Sequence, residues 1–217
     1  MCPRPYQLGR RQAAAEETRA RIIAAARELL TAKGGLAGFT VDAVAREAGV
    51  ARMTVYYQFG SRMGLLEALF DTLASHRGAG QLVTAIHRPD PLAGLAEFIE
   101  ALGRFWSSDR PLVRRLQGLA AIDPDFEQVW QAREALRRQG LQALAERIAQ
   151  THGQPGPGTI DEAVDILYAL VAFETFDSIA GTTRPYEQVA PVIYRLALTA
   201  LGLGATGDAP RLAHPRR

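Results

Sequence analysis

The sequence holds a single cysteine, Cys2, beside Pro3 at one end of the chain. Neither a disulfide framework nor a thiolate metal site can be built from it, and a reducing compartment is expected. No apolar run approaches the roughly 20 residues that span a bilayer. The opening "MCPRPYQLGRR" also lacks the apolar stretch of a secretory signal, so a cytoplasmic location without a membrane partner is expected. Alternating β-type patterns are missing. So are catalytic signatures: His76, His87, His152 and His214 never fall three or four residues apart. There is no Gly-x-Ser-x-Gly elbow and no glycine-rich phosphate loop with lysine. The acidic groups Asp123 with Asp125, and Asp161, Glu162 and Asp165, stand where carboxylates complement helix starts. No enzyme, metal or cofactor is expected.

What is present describes an ordinary globular chain: 217 residues, 47% hydrophobic and 22% charged, long enough to bury a sizeable core. The net charge of +2 is unevenly spread. Residues 1–62 carry ten Lys or Arg against five Asp or Glu, a balance of +5, whereas 63–217 carry fifteen against eighteen, a balance of −3. A basic head on a mildly acidic body is the asymmetry of a head that meets a polyanion. Arg4, Arg10 and Arg11 extend the basic character into a flexible arm, 1–14.

Ala, Leu, Arg, Glu and Gln dominate nearly every segment, and Gly and Pro fall at plausible breaks, so the fold class is all-α with about nine helices. The first spans about 15–32, with Ile22, Ile23, Ala26, Leu29 and Leu30 as its apolar stripe. Thr40 is placed to cap a second helix over 41–48, and Gly49 to make a tight turn into a third at 51–59. Ser61 caps a fourth, whose stripe is Leu65, Leu66, Leu69, Phe70 and Leu73. Further helices are expected over 91–107, 111–122, 124–150, 160–180 and 186–203, several with proline in the first turn. The segment "HGQPGPG" reads as a loop, and 204–217 as a disordered tail.

Two short helices joined by about four residues have the dimensions of a helix-turn-helix. At 100° per residue, Arg52, Met53, Tyr56 and Tyr57 fall within an arc of roughly 140°, with Val55 and Phe59 on the other side. The presented arc suits a DNA major groove: Arg52 can donate two hydrogen bonds to guanine, Met53 can touch a thymine methyl, and the tyrosines can reach phosphates or bases. Thr40, Thr54 and Arg62 flank it as phosphate contacts.

The stretch "FTVDAVAREAGVARMTVYYQFGSRMGLLEALF", with Thr40, Ala45, Gly49, Thr54, Val55, Tyr56, Tyr57, Gln58, Phe59, Ser61 and Arg62 in register, resembles the DNA-binding head of the TetR family of bacterial transcriptional regulators. The preceding "TRARIIAAARELLTAKG" resembles the family's first helix, so the likeness covers about the first seventy residues. Met63 and Gly64 depart from the family pattern, and glycine there weakens a helix start by about 1 kcal/mol. Met53 stands where the family often has a small residue.

The resemblance implies a helix-turn-helix DNA-binding domain at 15–62 and a helical ligand-binding and dimerisation domain at 63–203. It implies a ligand-responsive repressor that binds a palindromic operator as a homodimer, with an unidentified small-molecule effector. The last two long helices would pair with their twins through Ile160, Val164, Leu167, Val171, Val189, Val192, Ile193 and Leu196. Phe98, Leu102, Phe105, Trp106, Phe126, Trp130, Tyr168 and Phe173 are the candidate lining of an effector cavity, against the plainer reading that they are core. The competing function, a helical adaptor that binds only protein, leaves the basic head and the third helix's exposed face without a purpose.

Overall fold

The computed structural model describes residues 5–33, 35–77, 79–153 and 158–204. The first four residues of the basic arm, the centre of the "HGQPGPG" loop and the tail beyond 204 lie outside the described residues. Among those described there are twelve helices and no strand: α1 (Pro5–Thr31), α2 (Gly35–Gly38), α3 (Val41–Glu47), α4 (Arg52–Phe59), α5 (Arg62–Arg77), α6 (Ala79–Ile86), α7 (Pro91–Ser108), α8 (Arg110–Ala120), α9 (Pro124–His152), α10 (Ile160–Leu170), α11 (Phe173–Ala180) and α12 (Tyr186–Ala200). The all-α expectation holds. Three helices exceed the expected nine: the single turn α2, the short α6, and α11, which the sequence reading merged with α10. α1 also begins at Pro5, ten residues early, so helix runs through much of the segment expected to be a flexible arm.

The helices divide into two compact units. The first comprises 1–79 with 105–135, and the second 80–104 with 136–217, so α7 and α9 contribute to both. In the first unit α1 packs on α3, α5 and α8, and α4 is held between α3 and α5. Ile22, Ala25, Ala26 and Leu30 of α1, Val44 and Ala45 of α3, Val55 of α4 and Leu65, Leu66 and Leu69 of α5 are buried there. In the second unit α10, α11 and α12 pack against one another.

The break between α10 and α11 follows from the phase of the apolar residues. Ala163, Val164, Leu167 and Val171 form one stripe, while Phe173, Phe176 and Ala180 would lie about half a turn away on an unbroken helix. All seven are buried. The chain achieves this by leaving the helix at Ala172, which is extended at φ −63, ψ 150 and starts α11 on a new axis. Neither glycine nor proline marks the site.

Candidate nucleic-acid interface

The head is built from local signals. Thr40 is extended at φ −129, ψ 154, and its hydroxyl oxygen accepts a hydrogen bond from the Ala43 N–H at 3.1 Å, capping α3. At the other end of α3 the Val50 N–H donates to the Ala45 carbonyl at 2.9 Å and the Gly49 N–H to Arg46 at 3.2 Å. This is the paired closure that a residue with positive φ permits, and Gly49 has φ 64. The chain re-enters helix at Arg52, three residues after Gly49.

α4 ends in a tighter device. Gly60 (φ 73, ψ −46) is the centre of a three-residue turn in which the Ser61 N–H donates to the Phe59 carbonyl at 2.8 Å. That turn brings the Phe59 carbonyl against the start of α5, where a Cβ on Gly64 would stand 2.0 Å from the oxygen. Glycine at 64, which departs from the family pattern, is therefore what lets α5 start so close to α4, and its helical cost comes with that approach. The Ser61 hydroxyl accepts from the Gly64 N–H at 2.9 Å, the expected cap.

The α4 face separates largely as its periodicity predicts. Val55 is buried, Met53 is 58% exposed and Tyr57 86%. Thr54 and Tyr56 are half-buried and Thr40 is exposed. Phe59 differs from expectation: placed on the side opposite the presented arc, it is only half-buried, with the Arg19 guanidinium 4.4 Å from its ring centroid. At 100° per residue it lies only about 20° from Arg52, at the margin of the presented arc.

Two arginines of the expected interface are already engaged. Arg52 Nη1 lies 3.2 Å from Asp42 Oδ2, its Nη2 donates to the Tyr56 hydroxyl at 3.3 Å, and its guanidinium is 5.6 Å from the Tyr56 ring centroid. The hydrogen bond to Tyr56, then the charge of Asp42, hold the Arg52 pKa above its ordinary value. Arg62 Nη1 lies 2.7 Å from Asp123 Oδ2, and its guanidinium is 5.6 Å from the Phe39 ring. That hydrogen bond holds the Asp123 carboxyl below its ordinary range, against the opposing effect of burial. Arg62, expected as a phosphate contact, is thus an internal ion-pair partner in this structure. Sequence reasoning missed Asp42 as the partner of Arg52, Arg19 as that of Phe59 and Asp123 as that of Arg62, because only the helix crossings bring these residues to α4 and α5.

The eight candidate effector-pocket residues are distributed over both units. In the first unit Phe70 stacks edge-on against Trp130 with centroids 5.5 Å apart and tilts against Phe105 at 5.8 Å, while Phe105 meets Trp106 at 4.7 Å; Phe126 is fully buried. In the second unit Phe98, Leu102 and Phe173 are buried, Phe173 faces Tyr186 at 6.5 Å, and the Arg137 guanidinium covers Tyr168 at 4.7 Å. Phe105, Trp106, Trp130 and Phe173 thus pack on other rings, as residues of a core do. A cavity of about 450 Å³ in the first unit has a different lining, including Ile23, Arg27, Leu69, Ser108, Asp109 and Leu112, and none of the eight. Arg27 and Asp109 form an ion pair beside it.

The expected dimer residues also divide. Val164, Leu167, Val171, Val189 and Ile193 are buried within the chain, where α10, α11 and α12 meet. Ile160 and Val192 are half-buried, and Leu196 is 45% exposed.

With this geometry in view, residues 22–69 match the model of the bacterial regulatory proteins of the tetR family. The chain is similar to the HTH-type transcriptional regulator EthR of Mycolicibacterium smegmatis, 27% identical over 201 residues that cover 91% of this chain and 90% of that protein. It is also similar to the HTH-type transcriptional regulator SrpR of Pseudomonas putida, 47% identical over 57 residues, 26% of each chain. Its fold matches the crystal structure of FadR from Bacillus subtilis in complex with stearoyl-CoA, with a TM-score of 0.68, 18% identity, and coverage of 83% of this chain and 98% of that one. The helix-turn-helix of α3 and α4, with its outward face of Arg52, Met53 and Tyr57, lies within the matched segment and is that of a DNA-binding transcriptional regulator similar to the TetR family.

Proposed function

We propose that this regulator is a cytoplasmic, effector-responsive repressor that binds a two-fold operator as a homodimer, with α4 in the major groove, and that it catalyses no reaction. The observation that carries the DNA reading is the outward face of α4, where Met53 and Tyr57 are exposed beside a basic side chain on a helix whose other side is buried. Exposed apolar and aromatic groups at the tip of a helix-turn-helix suit base edges and sugar rather than water. Arg52 and Met53 read bases, while Thr40, Thr54 and Tyr57 grip the backbone.

Self-association is supported by Val192 and Leu196, one turn apart on α12 and not fully covered by their own chain. No described helix is long and apolar enough to cross a membrane, which is compatible with the cytoplasmic reading. The FadR of known structure binds stearoyl-CoA, and the first unit here holds a cavity within the size range of small-molecule sites. An effector that alters DNA binding is therefore part of the proposal, its chemistry being unassigned.

Titration of the purified chain against duplexes from the region upstream of its own gene tests the proposal. Palindrome-selective binding that weakens as salt rises is expected. Binding of equal strength to unrelated duplexes would overturn it. Sedimentation of the wild-type chain and of Leu196→Glu should give a dimer and a monomer respectively; a monomeric wild type removes the two-fold operator.

A further inference from the structure

One charged pair joins the two helices of the DNA-binding motif at their exposed edge. Arg52 opens α4, and Asp42 lies in the first turn of α3. An arginine side chain turns about four bonds, yet here a carboxylate at 3.2 Å and a phenol at 3.3 Å hold different nitrogens of the same guanidinium. The terminal plane of Arg52 is restrained before any DNA is present.

Resting on the DNA-binding reading above, we infer that Asp42 is a specificity-determining residue, which orients Arg52 toward a guanine and penalises the other base pairs at that position. The pair has little to offer the fold, since the two side chains are 57% and 63% exposed and such surface pairs contribute almost nothing to stability. Its effect lies in the complex. A guanidinium has five N–H donors in a planar fork, so two can go to guanine O6 and N7 while another stays on Asp42. With any other base pair the fork finds no matching pair of acceptors, yet Asp42 still holds it at the base edge, where it loses water without gaining base contacts. A guanidinium without that restraint can turn to a phosphate instead, so the cost falls on wrong sequences rather than evenly on all.

The experiment selects duplexes from a randomised library with the full chain, and repeats the selection with Asp42→Asn, Arg52→Ala and the double variant. Asp42→Asn keeps the shape of the side chain and removes its charge. The expected result is that all three variants relax the same base pair of each half-site. Asp42→Asn should lower the guanine preference by roughly tenfold while raising affinity for mismatched duplexes, and the double variant should be no more relaxed than Arg52→Ala. Asp42→Glu, which restores the charge, should recover part of the preference, as a merely misfolded head would not. Uniformly tighter binding by Asp42→Asn with the guanine preference intact would make Asp42 a plain negative charge and overturn the inference. Relaxation at a different base pair from Arg52→Ala would overturn it as well. If the wild-type chain enriches no sequence at all, the DNA-binding reading itself fails, an outcome distinct from both.

Discussion

Arg19 of α1 donates a hydrogen bond to the backbone carbonyl of Gln58 at 2.9 Å, one residue before the end of α4. The same guanidinium lies 4.4 Å from the centroid of Phe59, so one side chain grips the last turn of the DNA-facing helix twice. The carbonyls at a helix end have no intrahelical partners, and a cation there also favours the dipole. Arg19→Ala should destabilise the chain by about 1 kcal/mol in urea unfolding. Arg19→Lys should recover little of that, because an ammonium cannot both donate to the carbonyl and lie flat on the ring.

The two adjacent tyrosines should separate in mutation. Tyr57, 86% exposed, has no fold to support with its hydroxyl, so Tyr57→Phe should leave the unfolding midpoint unchanged and weaken DNA binding on every sequence by about 1 kcal/mol. Tyr56 accepts a hydrogen bond from Arg52, so Tyr56→Phe should alter base preference at the position that Arg52 reads. Fluorescence anisotropy on matched and single-mismatch duplexes separates the two outcomes.

Gly60 and Gly64 form one junction, and alanine should destabilise it at either position for a different reason. At Gly60 the side chain would meet nothing within 4 Å, so the cost is conformational, about 1 to 2 kcal/mol for placing a Cβ at positive φ. At Gly64 the φ is ordinary and the cost is collision with the Phe59 carbonyl. Gly64→Ala should therefore be the more damaging of the two in thermal unfolding, against the usual preference for alanine in a helix.

Asp123 makes stability depend on acid. Its carboxyl pKa is lowered in the folded chain, first by the hydrogen bond from Arg62, so the pair contributes fully above the unfolded value of about 3.9. The contribution is lost as pH falls below that value and through the folded pKa. With Arg62 more than a third exposed, it should amount to no more than about 1 kcal/mol. Asp123→Asn, which keeps an oxygen to accept from the Phe126 N–H, should show a shallower loss of stability than the wild-type chain as pH falls below about 4.

Local chemistry made the head legible in the sequence. Thr40, Gly49 and Ser61 each act through neighbours within a few residues, so their roles as caps and turn could be read directly, and the α4 face followed from its period. The α10–α11 break carried a signal of another kind, a half-turn jump of phase between Val171 and Phe173, which a search for glycine or proline passes over. Asp42 and Arg52 are ten residues apart with a turn between them, and only the crossing of α3 and α4 sets them 3.2 Å apart. The effector-pocket residues carried a less specific signal: aromatic residues at helical spacing satisfy the needs of a core as well as those of a cavity, and Phe126 and Phe98 are buried, as either role requires.

The engaged arginines also bear on how many counterions DNA binding can release. Arg52 and Arg62 hold Asp42 and Asp123, and Arg27 holds Asp109, so three of the ten cations in residues 1–62 face a carboxylate before any phosphate arrives. A cation already neutralised displaces few ions from the duplex unless it lets go of its partner. The thermodynamic charge of this head on DNA is accordingly smaller than its basic composition advertises.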